Sequence, residues 1–431
     1  MPAGRREAPL PTSLDQASSF DMRASAPRTS PPSLFSESIA DLPRLLYLGD
    51  IPVLESFGGM GVLFRLLSSY PTDRLYVLES NLVPRPNARE LPGVPYSRFR
   101  IGPQRVLFSR LSHHASPVVF GALRARFSRL PEPVRSFRPS AVLTIGHYCS
   151  WAAADEVARR LDVPLHIIVH DHGRLQPWVP PGKRSPTAEE FGRVYRRAAS
   201  RLCVSPYMAD FYQGMYGVAG DTLYPGRAQS TPVFDTPTAP ADRLLTLAYA
   251  GSLNGFYLGA LVDLSDALSS VNGQLLIYSP HADRFRATEL GSRRNVRLMG
   301  NLPGDQLVEA LRETSDALFV PTMLDEDDPI ALQVNFPSKL TEYTAAGLPL
   351  LFYGDPRTAA VRWAQDRDGV AEVAFAGGVD DLKGSLHRLQ DPAHRRHLAE
   401  QAIKVGRECF GYESVFGQFC RILVHPDEAR R

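Results

Sequence analysis

The chain of 431 residues is poor in cysteine and lacks any disulfide or zinc pattern. Its four cysteines, Cys149, Cys203, Cys409 and Cys420, are widely spaced and form no CxxC pair. So few thiols cannot hold together a disulfide scaffold of this size, and their spacing argues against a cysteine-based zinc site. This usage is typical of a reducing compartment. We therefore expect a cytoplasmic location, at most peripheral at the inner membrane face.

Long apolar segments are also missing. The longest charge-free run, Leu244 to Val262, is long enough on paper to cross a bilayer. However, glycine, serine and asparagine interrupt it, so a strand, a glycine loop and a helix start explain it better. Arg5 and Arg6 are not followed by an apolar segment, and we expect no signal peptide.

The chain has almost no net charge, but its charge is unevenly distributed. Lys and Arg number 48 against 46 Asp and Glu, a net charge of +2, so no overall field favours a nucleic-acid partner. Residues 98–138 instead hold nine arginines and one acid, Glu132, a local net charge of +8. An apolar stripe accompanies them. This segment predicts either a surface for an anionic membrane or phosphorylated acceptor, or a solvated basic face.

The first half of the chain has the pattern of a parallel sheet. Residues 1–40 are rich in Pro, Ser and Arg without apolar periodicity, which predicts a disordered tail. A first domain is predicted over 41–235. Near-continuous apolar runs predict strands at 44–49, 75–79, 141–145 and 164–169, with a glycine loop at 58–61 and a helix at 152–161. Such strands alternating with helices indicate a parallel sheet covered on both faces.

The same pattern restarts after a Pro/Thr/Ala-rich linker at 231–241. A second domain is predicted over 242–404, followed by a C-terminal segment at 405–425. Strands are expected at 245–250, 274–278, 296–300, 317–320 and 348–352, and helices at 257–268, 304–312 and 405–419. The predicted fold class is α/β, with two Rossmann-like doubly wound domains. Ligands then bind at the carboxyl ends of the strands, in the cleft between domains.

The most specific stretch is the run NFPSKLTEYTAAGLP at 335–349. Ser338 is a plausible helix N-cap, and a helix N-terminus with Lys339 suits a diphosphate. Glu342 lies one turn later, where a carboxylate could accept both hydroxyls of a ribose. The alternative is an ordinary capped helix with a solvated lysine and glutamate.

Histidines end two strands of the first half. His147 follows the strand at 141–145, and the His170-Asp171 pair follows the strand at 164–169. Both positions should face the cleft. A lone histidine is more often structural, but two at strand ends beside an aspartate favour a site. The His170-x-His172 pattern is weak as a metal site, and no metal site is predicted.

Taken as a whole, the 335–349 run resembles the sugar-nucleotide helix of retaining GT-B glycosyltransferases of the glycosyltransferase 4 type, whose pattern is P-S-K-x-x-E-Y-x-A-x-G-x-P. The resemblance covers about residues 40–420 and includes the Ala250-Gly251-Ser252 turn. It implies the GT-B fold and transfer of a sugar from a nucleotide sugar, with retention, to a glycan, lipid-linked or natural-product acceptor. It implies neither a cofactor nor a metal. It also implies that the C-terminal helix crosses back to the first domain.

The resemblance further implies roles for single residues. Lys339 would bind the pyrophosphate and Glu342 the ribose, while the base would stack near Tyr278 or the Gly300-Asn301-Leu302 loop. His147 would contact the donor sugar near the reacting carbon, and His170 and Asp171 would line the acceptor side. Gly59 belongs to the flexible loop over the donor phosphates.

Two departures from the family pattern keep other functions open. Val334 stands where the family's first glutamate is expected, and Asp325 is the acid nearest to that place. The turn after Gly251 has no Arg/Lys pair, so Ser252 and backbone N–H groups must help bind phosphate. These departures suit a catalytically inactive binding module.

A third hypothesis, an NAD-dependent oxidoreductase, rests on Gly59-x-Gly61 and on Glu79 as a ribose-binding acid. It lacks the third glycine, since residue 64 is Phe.

Overall fold

The computed structural model describes residues 41–56, 58–102, 107, 109, 112–172, 185–238, 243–253, 255–280, 282–322 and 329–426. Within them the chain forms two parallel sheets flanked by helices. The predicted tail at 1–40 lies outside the described residues.

The first sheet has seven strands in the order β3-β2-β1-β4-β5-β6-β7. These are β1 (Leu45–Gly49), β2 (Leu75–Ser80), β3 (Tyr96–Phe99), β4 (Ala141–Ile145), β5 (Leu165–Val169), β6 (Ser200–Cys203) and β7 (Asp221–Thr222). Every residue of β1, β4 and β5 is buried. Strands covered on both faces explain why their sequences are apolar without alternation.

Six helices accompany this sheet: α1 (Gly58–Leu67), α2 (Ser112–Phe127), α3 (Glu132–Phe137), α4 (Ser150–Leu161), α5 (Pro186–Arg197) and α6 (Pro206–Tyr216), with a 3₁₀ turn at Thr72–Arg74. The start of α4 is fixed by Asp50. Its buried carboxylate accepts hydrogen bonds from the backbone N–H groups of Cys149 (2.9 Å) and Ser150 (2.7 Å). A carboxylate that directly follows β1 thus satisfies donors that a helix start leaves open.

The second sheet has six strands in the order β10-β9-β8-β11-β12-β13. They are β8 (Thr246–Ala250), β9 (Gln274–Tyr278), β10 (Val296–Gly300), β11 (Ala317–Thr322), β12 (Leu350–Gly354) and β13 (Glu372–Phe375). Its helices are α7 (Gly255–Ser269), α8 (Glu289–Ser292), α9 (Gly304–Thr314), α10 (Pro329–Val334), α11 (Leu340–Tyr343), α12 (Ala359–Gln365) and α13 (Val379–Leu389), with a 3₁₀ turn at Ala282–Phe285.

Most predicted elements agree with this fold to within a residue or two, and the predicted two-sheet α/β class is confirmed. The prediction that the strand at 348–352 is the last was wrong, because β13 extends the sheet beyond it. Strands β3, β6 and β7 were not predicted either. They are short edge or near-edge strands, and their sequences carry too few apolar residues to be distinguished from loops.

The single C-terminal helix predicted at 405–419 was also wrong. Helix α14 (Pro392–Phe410) ends at Gly411, and α15 (Tyr412–Val424) follows. The backbone at Gly411 is extended (φ −56°, ψ 135°), so the helical path stops there. Val415, Phe416 and Phe419 of α15 join the core cluster that contains Leu45 and Leu63 of the first domain.

Two hydrogen bonds join the domains that contain the two sheets. The Ser205 hydroxyl donates to the Val334 carbonyl (2.9 Å), and the His172 N–H donates to Oδ1 of Asn335 (2.7 Å). These bonds fix the position of α10 and of the residues just before α11. No helix in the described ranges is both long and apolar enough to cross a bilayer.

Candidate active site

The predicted site residues lie where strands of both sheets end. Gly251 and Ser252 directly follow β8. The strand order reverses at β8, because β9 and β10 lie on one side of it and β11, β12 and β13 on the other. His147 and His170 follow β4 and β5. Ligands of doubly wound sheets bind at such carboxyl ends, near the point where the strand order reverses.

The structure places His147 and His170 next to each other. Their ring centroids are 6.2 Å apart and nearly perpendicular. Both side chains are buried, and burial, aided by the nearby His147, lowers the pKa of His170 to about 3. His170 is therefore a neutral imidazole at pH 7, suited to hydrogen bonding rather than to carrying charge.

The segment 58–61, predicted as a glycine loop, is instead the first turn of α1, and it brings Gly59 close to this pair. A Cβ atom built on Gly59 would lie 4.0 Å from Nδ1 of His170. That nitrogen is enclosed and has no hydrogen-bond partner among the described residues. A neutral ring nitrogen in such a position can donate to or accept from a bound hydroxyl.

Lys339 supplies an enclosed ammonium group to the second wall of the cleft. The residue keeps some exposed surface, but its Nζ is fully enclosed and has no hydrogen-bond partner among the described residues. Nζ lies 4.1 Å from the ring centroid of Tyr249 and 5.0 Å from that of Tyr257. Burial lowers the pKa of Lys339 to about 7. An unpaired buried ammonium is costly, so this position suits an anionic ligand.

The glycine turn lies directly beside this ammonium. Gly251 has φ +148°, and a Cβ atom there would be 3.4 Å from Nζ of Lys339 and 3.1 Å from the Tyr249 hydroxyl. The Tyr249 hydroxyl in turn donates to the Ser252 carbonyl (2.8 Å). Only glycine fits both the backbone conformation and the space. The turn, Lys339 and the two tyrosines thus form one pocket wall.

Asp171 faces this wall from the first domain. Burial raises the pKa of the Tyr257 hydroxyl, and the Asp171 carboxylate raises it further. The carboxylate is thus close enough to act electrostatically on a residue in contact with Lys339. The structure therefore brings residues of both domains to one cleft.

Glu342 is already paired across the cleft. Its Oε1 accepts a hydrogen bond from Nη1 of Arg65 on α1 (3.1 Å), and its Oε2 accepts one from the Thr341 hydroxyl. The two charged side chains are 20% and 18% exposed, so water still reaches the pair. Sequence separation hides this contact, because Arg65 and Glu342 are 277 positions apart.

The helix at the 335–349 run is shorter than predicted. Helix α11 has four residues, and Lys339 rather than Ser338 holds the N-cap position, without a side-chain cap. The predicted capping role of Ser338 was wrong: its carbonyl accepts a hydrogen bond from the Thr341 N–H (3.2 Å). A single helical turn has a weak dipole, so electrostatic binding here depends mainly on Lys339.

The ring of Tyr278 is not accessible for the stacking of a base that the resemblance implies. The ring is 4% exposed within the core, and its hydroxyl shares a hydrogen bond with Thr314 (3.0 Å). Its carbonyl instead accepts the Gly251 N–H (3.0 Å), which helps fix the glycine turn. Asn301 is exposed in the loop after β10. Of these two residues, only Asn301 is accessible from solvent.

Asp325 and the rest of its acidic loop lie outside the described residues. Within the described part of the chain, no group of three or more His, Cys, Asp or Glu side chains could hold a metal ion. His172 is used structurally, since its Nδ1 shares a hydrogen bond with the Tyr212 hydroxyl (3.0 Å).

Known proteins resemble this chain in sequence over part of its length and in fold over most of it. Residues 58–226 match the model of Glycosyltransferase Family 4. Comparison with curated protein sequences finds no significant match.

Three solved structures illustrate the likeness in fold. HepE from Anabaena, solved in complex with UDP and glucose, matches with a TM-score of 0.58 at 14% identity, over 88% of this chain and 98% of that one. The apo lipopolysaccharide outer core galactosyltransferase WaaB matches with a TM-score of 0.57 at 18% identity, over 88% of this chain and 98% of that one. A glycosyltransferase from Rickettsia africae matches with a TM-score of 0.61 at 10% identity, over 89% of this chain and 98% of that one. The resemblance that the sequence indicates is therefore confirmed in fold: the chain has the GT-B fold of these structures, and residues 58–226 match the model of Glycosyltransferase Family 4.

Proposed function

We propose that this chain transfers a sugar from a nucleotide sugar to a hydroxyl acceptor through the cleft between its two domains. The observation that carries the proposal is the Lys339 ammonium, enclosed beside the Gly251 turn with no anionic partner among the described residues. A diphosphate supplies the missing negative charge. HepE, a structural neighbour, has been solved with UDP-glucose, which supports a nucleotide-sugar donor here.

The proposed reaction follows from where charge develops. The bond between the anomeric carbon and the phosphate oxygen breaks, leaving positive character on the sugar and negative charge on the diphosphate. Lys339 and the N–H groups of the Gly251 turn stabilise the leaving group. The acceptor hydroxyl oxygen bonds to the same face of the anomeric carbon, and its proton passes to the departing phosphate oxygen. This front-side transfer retains the anomeric configuration.

The two histidines suit the acceptor hydroxyl and the donor sugar, which carry no negative charge. A neutral His170 can hydrogen-bond an acceptor hydroxyl without repelling positive charge on the sugar. His147, 6.2 Å away, is proposed to contact the donor sugar. Asp171, on the side of Tyr257, is proposed to orient the acceptor. No step requires a metal ion or cofactor.

The acceptor is proposed to be a glycan, lipid-linked or natural-product alcohol, presented near the basic face of the first domain. Part of the positive charge there is neutralised, because Arg124 pairs with Glu190 and Arg98 with Glu90. Arg129 and Arg138 remain exposed, and Val118 on α2 is 72% exposed. Exposed arginines and an exposed apolar side chain within the segment 98–138 support peripheral binding to an anionic membrane surface.

The oxidoreductase hypothesis requires Glu79 as a ribose-binding acid, and the structure shows that Glu79 is not accessible for this role. Glu79 is 1% exposed, accepts the Val53 N–H (2.8 Å) and pairs with Arg85. A carboxylate engaged in this way inside the first domain cannot hold a cofactor ribose. The inactive binding module remains the second candidate, because the second domain lacks a cation in the Gly251 turn.

Replacing Glu342 tests the transferase proposal. With a panel of nucleotide sugars, Glu342→Ala should reduce donor hydrolysis and transfer by about a hundredfold or more, since the ribose loses its charged acceptor. EDTA should leave the wild-type rate unchanged. Glu400→Ala, on the exposed side of α14, is the control. Full activity of Glu342→Ala would contradict the site, and donor binding without turnover by the wild type would favour the binding module.

A further inference from the structure

Arg65 reaches from the first domain to the carboxylate that we assign to ribose binding. It lies on α1, six positions after Gly59, which approaches His170. Its Nη1 donates to Oε1 of Glu342 over 3.1 Å. Its Nε is enclosed and has no hydrogen-bond partner among the described residues. The guanidinium is therefore directed at Glu342 and not at another acceptor of its own domain.

The hydrogen bonds that Glu342 already accepts leave some lone pairs of its carboxylate free for a ligand. An ionised carboxylate offers about four lone-pair sites, two on each oxygen. Arg65 occupies one on Oε1 and the Thr341 hydroxyl occupies one on Oε2. One site stays open on each oxygen, which matches two adjacent hydroxyl donors. The existing contacts thus orient the carboxylate without blocking it.

We infer that Arg65 is a positioning residue that holds Glu342 in the orientation that reads the 2′- and 3′-hydroxyls of the donor ribose. The ribose site is then composite, with its carboxylate on the second domain and the group that orients it on the first. Separation of the domains removes Arg65 from Glu342. Discrimination for ribose is therefore complete only in the closed arrangement. This role rests on the proposed function, which assigns Glu342 to the ribose.

The test compares ribonucleotides with their 2′-deoxy counterparts. Binding of UDP, GDP and ADP, and of the three 2′-deoxynucleoside diphosphates, is measured by calorimetry for wild type and Arg65→Met. Arg65→Met keeps a flexible apolar stem but removes the charged donor. The preference of the wild type for the ribonucleotide should fall about fivefold in Arg65→Met, the size expected for loss of a charge-assisted hydrogen bond that orients its acceptor. Arg65→Lys, which keeps a charged donor, should restore part of that preference.

Arg293→Met is the matched control. Arg293 is equally exposed, at 20%, and pairs with Asp266 and Glu289, but it precedes β10 at the edge away from the cleft. The preference of the Arg293→Met protein for ribonucleotides should equal that of the wild type, and circular dichroism should show that each variant is folded. An unchanged preference, or tighter ribonucleotide binding, in Arg65→Met would overturn the role of Arg65. A wild type without any ribose preference would instead contradict the proposed function of Glu342.

Discussion

The charge state of Lys339 should govern both stability and donor binding. Its pKa is lowered from 10.5 to about 7 by burial. At 1.36 kcal/mol per pKa unit, keeping the ammonium charged at or below pH 7 costs the donor-free fold about 5 kcal/mol. Lys339→Met, which removes the charge and keeps the apolar stem, should therefore stabilise the donor-free chain by up to about 5 kcal/mol near pH 7.

The sign of the pH dependence follows from the same shift. Between pH 7 and about 10.5 the unfolded chain binds more protons at Lys339 than the folded chain, so the stability of the wild type should rise with pH in this window. Lys339→Met should lack this contribution. Urea unfolding at pH 7 and pH 9 measures both effects. Lys383→Met is the control, because Lys383 is 42% exposed and pairs with Asp380.

Donor binding should show the opposite dependence. A diphosphate favours the ammonium, so above pH 7 binding takes up a proton and the Kd for a nucleoside diphosphate should rise up to about tenfold per pH unit. Calorimetry at pH 8.5 in buffers of different ionisation enthalpy should detect an uptake close to one proton. Lys339→Met should bind the nucleoside diphosphate far more weakly despite its greater stability. A destabilised Lys339→Met variant, or a Kd independent of pH, would refute the reasoning.

Two further predictions concern the glycine turn and the basic face. Gly251→Ala should lower the free energy of unfolding by about 1–3 kcal/mol, because alanine is strained at φ +148°. The control Gly259→Ala, in helix α7 where a Cβ atom meets open space, should instead raise the melting temperature. Equal melting temperatures of the two variants would contradict the conformational requirement for glycine at 251. Arg129→Glu with Arg138→Glu should weaken binding to vesicles containing phosphatidylglycerol, by about 1 kcal/mol or more per residue. Vesicles of phosphatidylcholine alone and the exposed Arg357→Glu serve as controls, and unchanged sedimentation with anionic vesicles would exclude this face.

The two-domain architecture could be predicted from sequence because it depends on local patterns. The buried strands at 45–49, 141–145 and 165–169 are apolar along their whole length, which few other structures tolerate. The glycine loops mark where each half begins. Short strands such as β13 escaped prediction because sheet pairing, and not composition, makes them strands.

The sequence by itself determined the fold, the position of the cleft and the candidates Lys339, Glu342, His147 and His170. These follow from apolar periodicity, from strand ends and from one motif read along the chain. Only the tertiary structure decided the state of these groups. Enclosure beside Tyr249 and Tyr257 sets the charge of Lys339, the ring of Tyr278 is taken into the core, and Arg65 meets Glu342 across the cleft. Burial and long-range pairing depend on residues far apart in the chain, which no local pattern records.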